Sequence, residues 1–117
     1  MAIWNHEYET YFIKLNFHSM RAYMVIIQLP TELSKEFMSI IPKQRAKVEE
    51  LMDEGKILQY ALAVDRLKLW VTVAARSEEK AREIISSFPL VHFMKPEFFE
   101  LAFQNSISTV MPKLIMN

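Results

Sequence analysis

The chain has 117 residues, 51% of them apolar and 24% charged, which predicts one folded domain and argues against disorder. Basic and acidic side chains number 14 each, so the formal net charge of zero gives no global electrostatic reason to expect nucleic acid or an anionic membrane as partner. The absence of cysteine excludes disulfides and thiolate catalysis, and we expect a cytoplasmic location.

Neither a membrane span nor a nucleotide-binding loop is predicted. A transmembrane helix requires about 18 or more consecutive apolar residues, and the sequence has no such run. The single glycine, Gly55, excludes glycine-rich phosphate loops. The three histidines, His6, His18 and His92, lack the His-x-x-x-His or Glu-x-x-His spacing of metal ligands, so no metal site is predicted.

Four segments have the composition and alternation of β-strands. Residues 21–29 are rich in β-branched and aromatic side chains, and residues 58–64 and 69–74 alternate with a period of two. A tight reversal at residues 65–68 joins these two segments into a predicted hairpin. Residues 97–105, with phenylalanine and leucine at alternate positions, predict the fourth strand.

Capping signals place helices between these strands. Thr31 is expected to cap a short helical turn that covers residues 31–40. Pro42 is expected to begin a longer helix, because its missing N–H costs nothing in a first turn, and Gly55 is expected to end it. Ser77 is expected to cap a second helix, with two glutamates at its positive end.

The resulting order, βαββαβ, is the ferredoxin-like α+β arrangement, in which two helices cover one face of a four-stranded antiparallel sheet. We assign it to residues 20–106, followed by a C-terminal tail at 107–117. Residues 1–19 are an N-terminal extension, either an added strand or arm that packs on a partner or, as we favour, translated upstream sequence. The second sheet face also carries apolar side chains, so we expect a homodimer with the sheets packed face to face.

Two polar side chains lie on the apolar side of the longer helix. At about 100° per residue, Gln44 falls within about 60° of the apolar stripe and Arg45 within about 40° of it. The functional interpretation is a pocket beneath the helix, in which Arg45 binds a substrate carboxylate. In the alternative, Arg45 reaches the helix edge or pairs with Asp65, because a buried charge needs a partner. The stripe consists of Phe37, Ile41, Val48, Leu51 and Met52.

Further candidate site residues lie on the strands and after the second helix. His92 is a candidate general base near neutral pH, or a loop residue without such a role. Tyr23, Tyr60 and Trp70 lie on predicted strands, where they either line a ligand cavity or belong to the core and the dimer interface.

Several segments resemble the muconolactone isomerase family. The resemblance rests on Leu-Met-Asp-Glu-Gly at 51–55, Phe-Pro-Leu-Val-His-Phe-Met at 88–94 and Leu-Pro at 29–30, and it covers about residues 20–103. It implies a ferredoxin-like fold that dimerises as an α+β barrel and builds larger rings in some members. It also implies an enzyme that moves a proton within an unsaturated, carboxylated lactone without a metal or an organic cofactor.

The resemblance also locates the family's proton-transfer residues. The family's helix carries a lysine and, three residues later, a glutamate, and counting back from Gly55 these positions fall on Ile41 and Gln44. Neither side chain acts as an acid or base, and the amide of Gln44 serves only to orient or hydrogen-bond a substrate. A one-residue gap in the preceding loop would instead bring Lys43 near the site.

The leading hypothesis is a homodimer or larger oligomer that binds a small organic acid or lactone between the helices and the sheet. Arg45 would anchor the anion and Gln44 would hydrogen-bond it. Tyr60 and Trp70 would line the wall of the pocket.

Catalysis and simple binding are both compatible with this pattern of residues. A cofactor-free proton transfer would use Asp65 or His92 as the base. The rival hypothesis is a non-catalytic binding or assembly module, with Arg45 paired to Asp65 and the pocket filled by side chains. A third class, the cofactor-free and haem-linked monooxygenases on related barrels, rests on fold analogy alone.

Overall fold

The computed structural model describes residues 20–102 of the chain. In these residues one antiparallel sheet of four strands, in the order β2-β3-β1-β4, carries two helices on one face. This α+β architecture confirms the ferredoxin-like prediction. The elements are β1 (Arg21–Gln28), α1 (Lys35–Asp53), β2 (Ile57–Leu62), β3 (Lys68–Ala75), α2 (Glu78–Ser86) and β4 (Lys95–Glu100), with a 3₁₀ helix at Val91–Phe93.

The core lies between the central strands and the helices. β1 pairs with both β3 and β4, so every second side chain of β1 is shielded from above and from both sides. Val25 and Ile27 are fully buried, and their partners across the β1–β3 ladder, Val71 and Leu69, are buried as well. Each such side chain stabilises the fold by about 1.5–3 kcal/mol relative to an exposed one.

α1 is longer than the sequence predicts. Ser34, not Thr31, caps it, with its Oγ accepting a hydrogen bond from the Phe37 backbone N–H at 3.1 Å. The separate helical turn ending near residue 40 was a wrong prediction, because the helix runs without interruption through Pro42. An interior proline costs about 3 kcal/mol, which the packing of buried side chains on both sides of it outweighs. The buried residues are Phe37, Gln44, Val48 and Leu51.

The end of α1 follows the sequence more closely. The helix ends at Asp53, and Gly55 adopts φ +75°, the left-handed conformation that glycine takes at the least cost. Met52, which the predicted stripe includes, is 43% exposed. The buried stripe therefore ends at Leu51.

The hairpin between β2 and β3 is shorter than predicted. β2 ends at Leu62, and the side chain of Val64, expected in the strand, is fully exposed in the reversal. The N–H of Ala63 donates to the Lys68 carbonyl at 2.9 Å, which closes the reversal. Inside it, the N–H of Leu67 donates to Asp65 Oδ1 at 2.9 Å.

The second half of the fold matches the sequence analysis in its caps and order. Ser77 caps α2, its Oγ accepting from the Lys80 N–H at 3.2 Å, and Ala81 and Ile85 are buried against the sheet. β4 begins at Lys95, two residues before the predicted start. The extension at 1–19, the tail at 107–117 and the end of the predicted fourth strand lie outside the described residues. Within 20–102, neither helix combines the length and apolarity that crossing a membrane requires.

Candidate functional site

A cavity of about 160 Å³ lies between the first half of α1 and the β2–β3 side of the sheet. An apolar cavity of roughly 150 Å³ accommodates a molecule of the size of benzene, so this one has room for a small organic ligand. Its polar lining residues are Gln44, Arg45, Tyr60 and Arg66. Its apolar lining residues are Leu29, Leu33, Phe37, Ile41, Leu62, Leu69, Leu90 and Met94.

Gln44 forms the buried polar centre of this cavity. The side chain is 4% exposed, which is unusual for a glutamine, and both ends of its amide are hydrogen-bonded. Oε1 accepts from the backbone N–H of Leu90 at 3.1 Å, and Nε2 donates to the hydroxyl oxygen of Tyr60 at 3.2 Å. Because the Leu90 N–H can only donate, it must face the amide oxygen of Gln44. Nε2, and not Oε1, therefore faces Tyr60.

Tyr60 is consequently left with its hydroxyl proton to donate. Its oxygen already accepts from Gln44, so the O–H is the group that it offers to a ligand. Burial raises the pKa of Tyr60 above the ordinary value of 10.0, and the hydrogen bond from Gln44 offsets part of that rise. The phenol therefore stays protonated at neutral pH. The ring packs edge-on against Phe88, with 6.3 Å between ring centroids, which holds it against the cavity wall.

Two arginines line the exposed rim of the cavity. Arg45 follows Gln44 on α1, and Arg66 lies in the reversal between β2 and β3. Among residues 20–102, none of the ion pairs involves either of them. The lining contains no carboxylate and no histidine from this part of the chain. The described cavity thus combines apolar walls with two exposed arginines that form no ion pair in this part of the chain, a combination that favours an organic anion.

The structure brings together three of the six predicted site residues. Gln44, Arg45 and Tyr60 line the same cavity. Asp65 does not line it, and its carboxylate accepts a hydrogen bond within its own turn instead of pairing with Arg45. The remaining two, His92 and Trp70, lie elsewhere.

Neither His92 nor Trp70 lines the cavity. His92 is exposed in the 3₁₀ helix and borders a shallow groove with Thr31 and Lys95. Trp70 lies on the sheet face opposite the helices, opposite Ile26 in the β1–β3 ladder, and is 36% exposed. The catalytic and wall roles predicted for these residues stay predictions. Tyr23, the third aromatic considered, is buried in the core.

Sequence reasoning missed two contributors to the cavity, Arg66 and the backbone N–H of Leu90. Arg66 lies in a polar reversal, where an arginine ordinarily is a solvated surface residue, so no sequence signal marked it. Leu90 belongs to the Pro-Leu segment that carries the family resemblance. Its N–H holds the amide of Gln44, which gives that segment a direct part in the site.

Metal binding finds no support in the described part of the chain. Residues 20–102 contain no group of three or more histidine, aspartate or glutamate side chains arranged to hold an ion. The cavity itself offers a metal only the carbonyl and hydroxyl oxygens beside two arginines.

The fold and the cavity together define a ferredoxin-like α+β protein with a cavity of polar and apolar lining beneath its first helix. The family model described as muconolactone delta-isomerase matches residues 22–106, and the chain therefore belongs to the muconolactone isomerase family. No individual curated protein is similar enough to this chain to be counted as a relative.

Proposed function

We propose that this protein binds a small organic anion, such as a carboxylated lactone or a related acid, in the cavity beneath α1. The observation that supports this most is an apolar cavity whose only charged lining groups, in residues 20–102, are arginines. The guanidinium of Arg45 would bind a carboxylate with its planar pair of N–H groups. The apolar walls would bury the carbon skeleton at about 25 cal/mol per Å² of surface removed from water.

The paired polar groups deeper in the cavity would orient this ligand. The Tyr60 hydroxyl would donate to a second oxygen, such as a lactone carbonyl, while Gln44 holds the phenol in place. Because Leu90 fixes the Gln44 amide, the direction of this hydrogen-bond chain runs from backbone to amide to phenol to ligand. Membership of the muconolactone isomerase family supports a ligand of this chemical type.

A second candidate function is a cofactor-free isomerase, which the family membership favours. Proton transfer needs a base, and the described lining supplies only the neutral phenol of Tyr60 and two permanently protonated arginines. The base would have to reach the cavity from outside this lining. Both candidate bases lie near the lining along the chain: Asp65 is next to Arg66, and His92 lies two residues from Leu90 and from Met94.

The sheet face opposite the helices supports a second copy of this chain as partner. It presents an apolar strip across β1, β3 and β4, interrupted by Thr72 and Glu97. In this strip Met24 and Ile26 are half-buried and Phe99 is 43% exposed. Burying such a strip against its own copy would complete the barrel that the family resemblance implies. The homodimer and the cytoplasmic location are parts of this proposal.

Isothermal titration calorimetry with muconolactone and with hexanoate tests the binding function. Wild type and an Arg76→Ala control, which removes an exposed arginine at the opposite end of the sheet, are expected to bind alike. Arg45→Ala is expected to weaken binding at least about fivefold, because it removes a charge-assisted hydrogen bond. Equal binding by Arg45→Ala and wild type, or no binding of any carboxylate, would contradict the proposal.

Proton NMR in deuterated buffer separates binding from catalysis. Muconolactone whose ring protons exchange or rearrange with wild type, and not with Arg45→Ala, would establish the isomerase. An unchanged spectrum at a concentration that saturates the cavity would leave binding as the function.

A further inference from the structure

Arg66 adopts a backbone conformation that arginine seldom takes. Its φ is +65°, in the left-handed region where a β-carbon crowds the following carbonyl and where glycine, asparagine or aspartate fits at lower cost. The N–H of Arg66 donates to the Ala63 carbonyl at 2.9 Å, so this conformation is part of the reversal between β2 and β3. Residues held in such conformations concentrate at ligand-binding sites.

The reversal itself does not use the arginine side chain. Its closing hydrogen bonds come from backbone groups and from the Asp65 carboxylate. A glycine at position 66 would serve the turn better than arginine, since it removes the steric conflict. The side chain is therefore unexplained by local folding, and what it does in the structure is line the cavity.

Arg66 brings a second positive charge to the cavity that already contains Arg45. The two residues come from different elements, the helix α1 and the β2–β3 reversal, and meet around a volume of about 160 Å³. No carboxylate of the described chain lines this volume. The cavity therefore offers a guanidinium group from each of two elements, and a ligand with two anionic groups would use both.

We propose that the cavity is built for a small dianion, with Arg45 binding one anionic group and Arg66 the other. This inference rests on the proposed function and sharpens it, because it selects compounds with two carboxylates, or an equivalent pair of anionic groups, over monocarboxylates of the same length. Arg66 is then a specificity-determining residue, whose charge outweighs the strain of its backbone.

Calorimetry with matched pairs of acids tests this directly. The dicarboxylates succinate, glutarate and adipate are compared with butyrate, pentanoate and hexanoate at constant ionic strength, because salt screens exposed charges. The best-fitting dicarboxylate is expected to bind wild type about tenfold more tightly than its monocarboxylate, since each carboxylate gains a charge-assisted hydrogen bond. Equal affinity for both members of every pair would overturn the dianion proposal alone.

Arg66→Gly and Arg66→Asn then separate charge from backbone strain. Both are expected to weaken dicarboxylate binding about five- to tenfold and monocarboxylate binding less than about twofold. Their unfolding midpoints are expected to stay level or rise, because both residues suit the left-handed region. Equal weakening of both classes of acid, or no weakening, would overturn the role of Arg66. If wild type binds none of these acids, the dianion proposal fails, and if it also fails to bind muconolactone the proposed function fails with it.

Discussion

The two faces of the sheet differ in what covers them, although the same strands form both. In β1, Val25 and Ile27 are completely buried beneath the helices, whereas Met24 and Ile26 point to the opposite face and stay partly open. The helix face is interrupted near β2, where the polar pair Gln44 and Tyr60 replaces apolar packing and a cavity opens. Strand alternation thus puts the proposed ligand site on the covered face and the proposed dimer interface on the open face.

The largest difference in stability between the two faces should come from substituting two isoleucines that are neighbours in sequence. Ile27→Ala removes a fully buried side chain and is expected to lower the free energy of unfolding by about 2–5 kcal/mol. Ile26→Ala, on the open face, is expected to cost less than about 1 kcal/mol at a protein concentration where the chain is monomeric. Urea denaturation at several protein concentrations checks both values. Equal losses would show that the open face is packed as the core is.

Two glutamines provide the next comparison. Gln44→Ala leaves the buried Leu90 N–H without its acceptor and is expected to cost about 1–3 kcal/mol. Gln59→Ala changes an exposed residue of β2 that lies opposite Thr72, and is expected to stay within about 0.5 kcal/mol of wild type. Thermal and urea unfolding measure the difference. A Gln44→Ala protein as stable as Gln59→Ala would contradict the structural role of the Gln44 amide.

A charge on the open face is expected to change assembly and leave folding intact. Phe99→Lys places an ammonium in the apolar strip, and burying it against a second copy would cost several kcal/mol. We expect it to shift the molecular mass measured by sedimentation from dimer to monomer. Val64→Lys, at a fully exposed position in the reversal, is the matched control and is expected to leave the dimer unchanged. A monomeric wild type would contradict the proposed homodimer.

The smallest effect is expected from the Tyr60 hydroxyl. Because its pKa is raised, the folded protein keeps this proton at pH values where the unfolded chain has lost it. Stability from this group is therefore complete below about pH 10 and declines as the pH rises toward the folded pKa. Tyr60→Phe is expected to be about 1 kcal/mol less stable than wild type near neutral pH. The difference in unfolding free energy between Tyr60→Phe and wild type should narrow above about pH 10, and urea unfolding across that range measures it. A difference that stays constant with pH would contradict this.

The features predicted correctly are those that depend on neighbours in sequence. Ser77 marks the start of a helix through its side chain, and Gly55 marks the end of one through its backbone conformation. Helical spacing alone predicted that Gln44 lies on the buried side of α1. The prediction that a separate helix begins near Pro42 was wrong, because buried side chains on both sides of the proline favour one continuous helix. Arg66 escaped prediction because its place depends on a left-handed backbone and on a helix distant in sequence.

Alternation also has a limit that Trp70 illustrates. A period of two separates the faces of a strand but does not say which face the helices will cover. Both Tyr60 and Trp70 fit a strand facing a cavity, and the register of β2 against β3 puts them on opposite faces. Which of the two residues lies beneath the helices follows only from how the whole sheet packs against them.

A titration of ¹⁵N-labelled protein with muconolactone and with adipate, followed by NMR, tests the central claim that a small organic anion binds beneath α1. Reporters of the two faces are the Leu90 amide with the Gln44 side-chain amide, and the indole N–H of Trp70, assigned with a Trp70→Phe variant. The account predicts saturable shifts of the Leu90 and Gln44 signals and an unmoved Trp70 indole. Shifts at Trp70 without any at Leu90 and Gln44, or no shift with either compound, would contradict it.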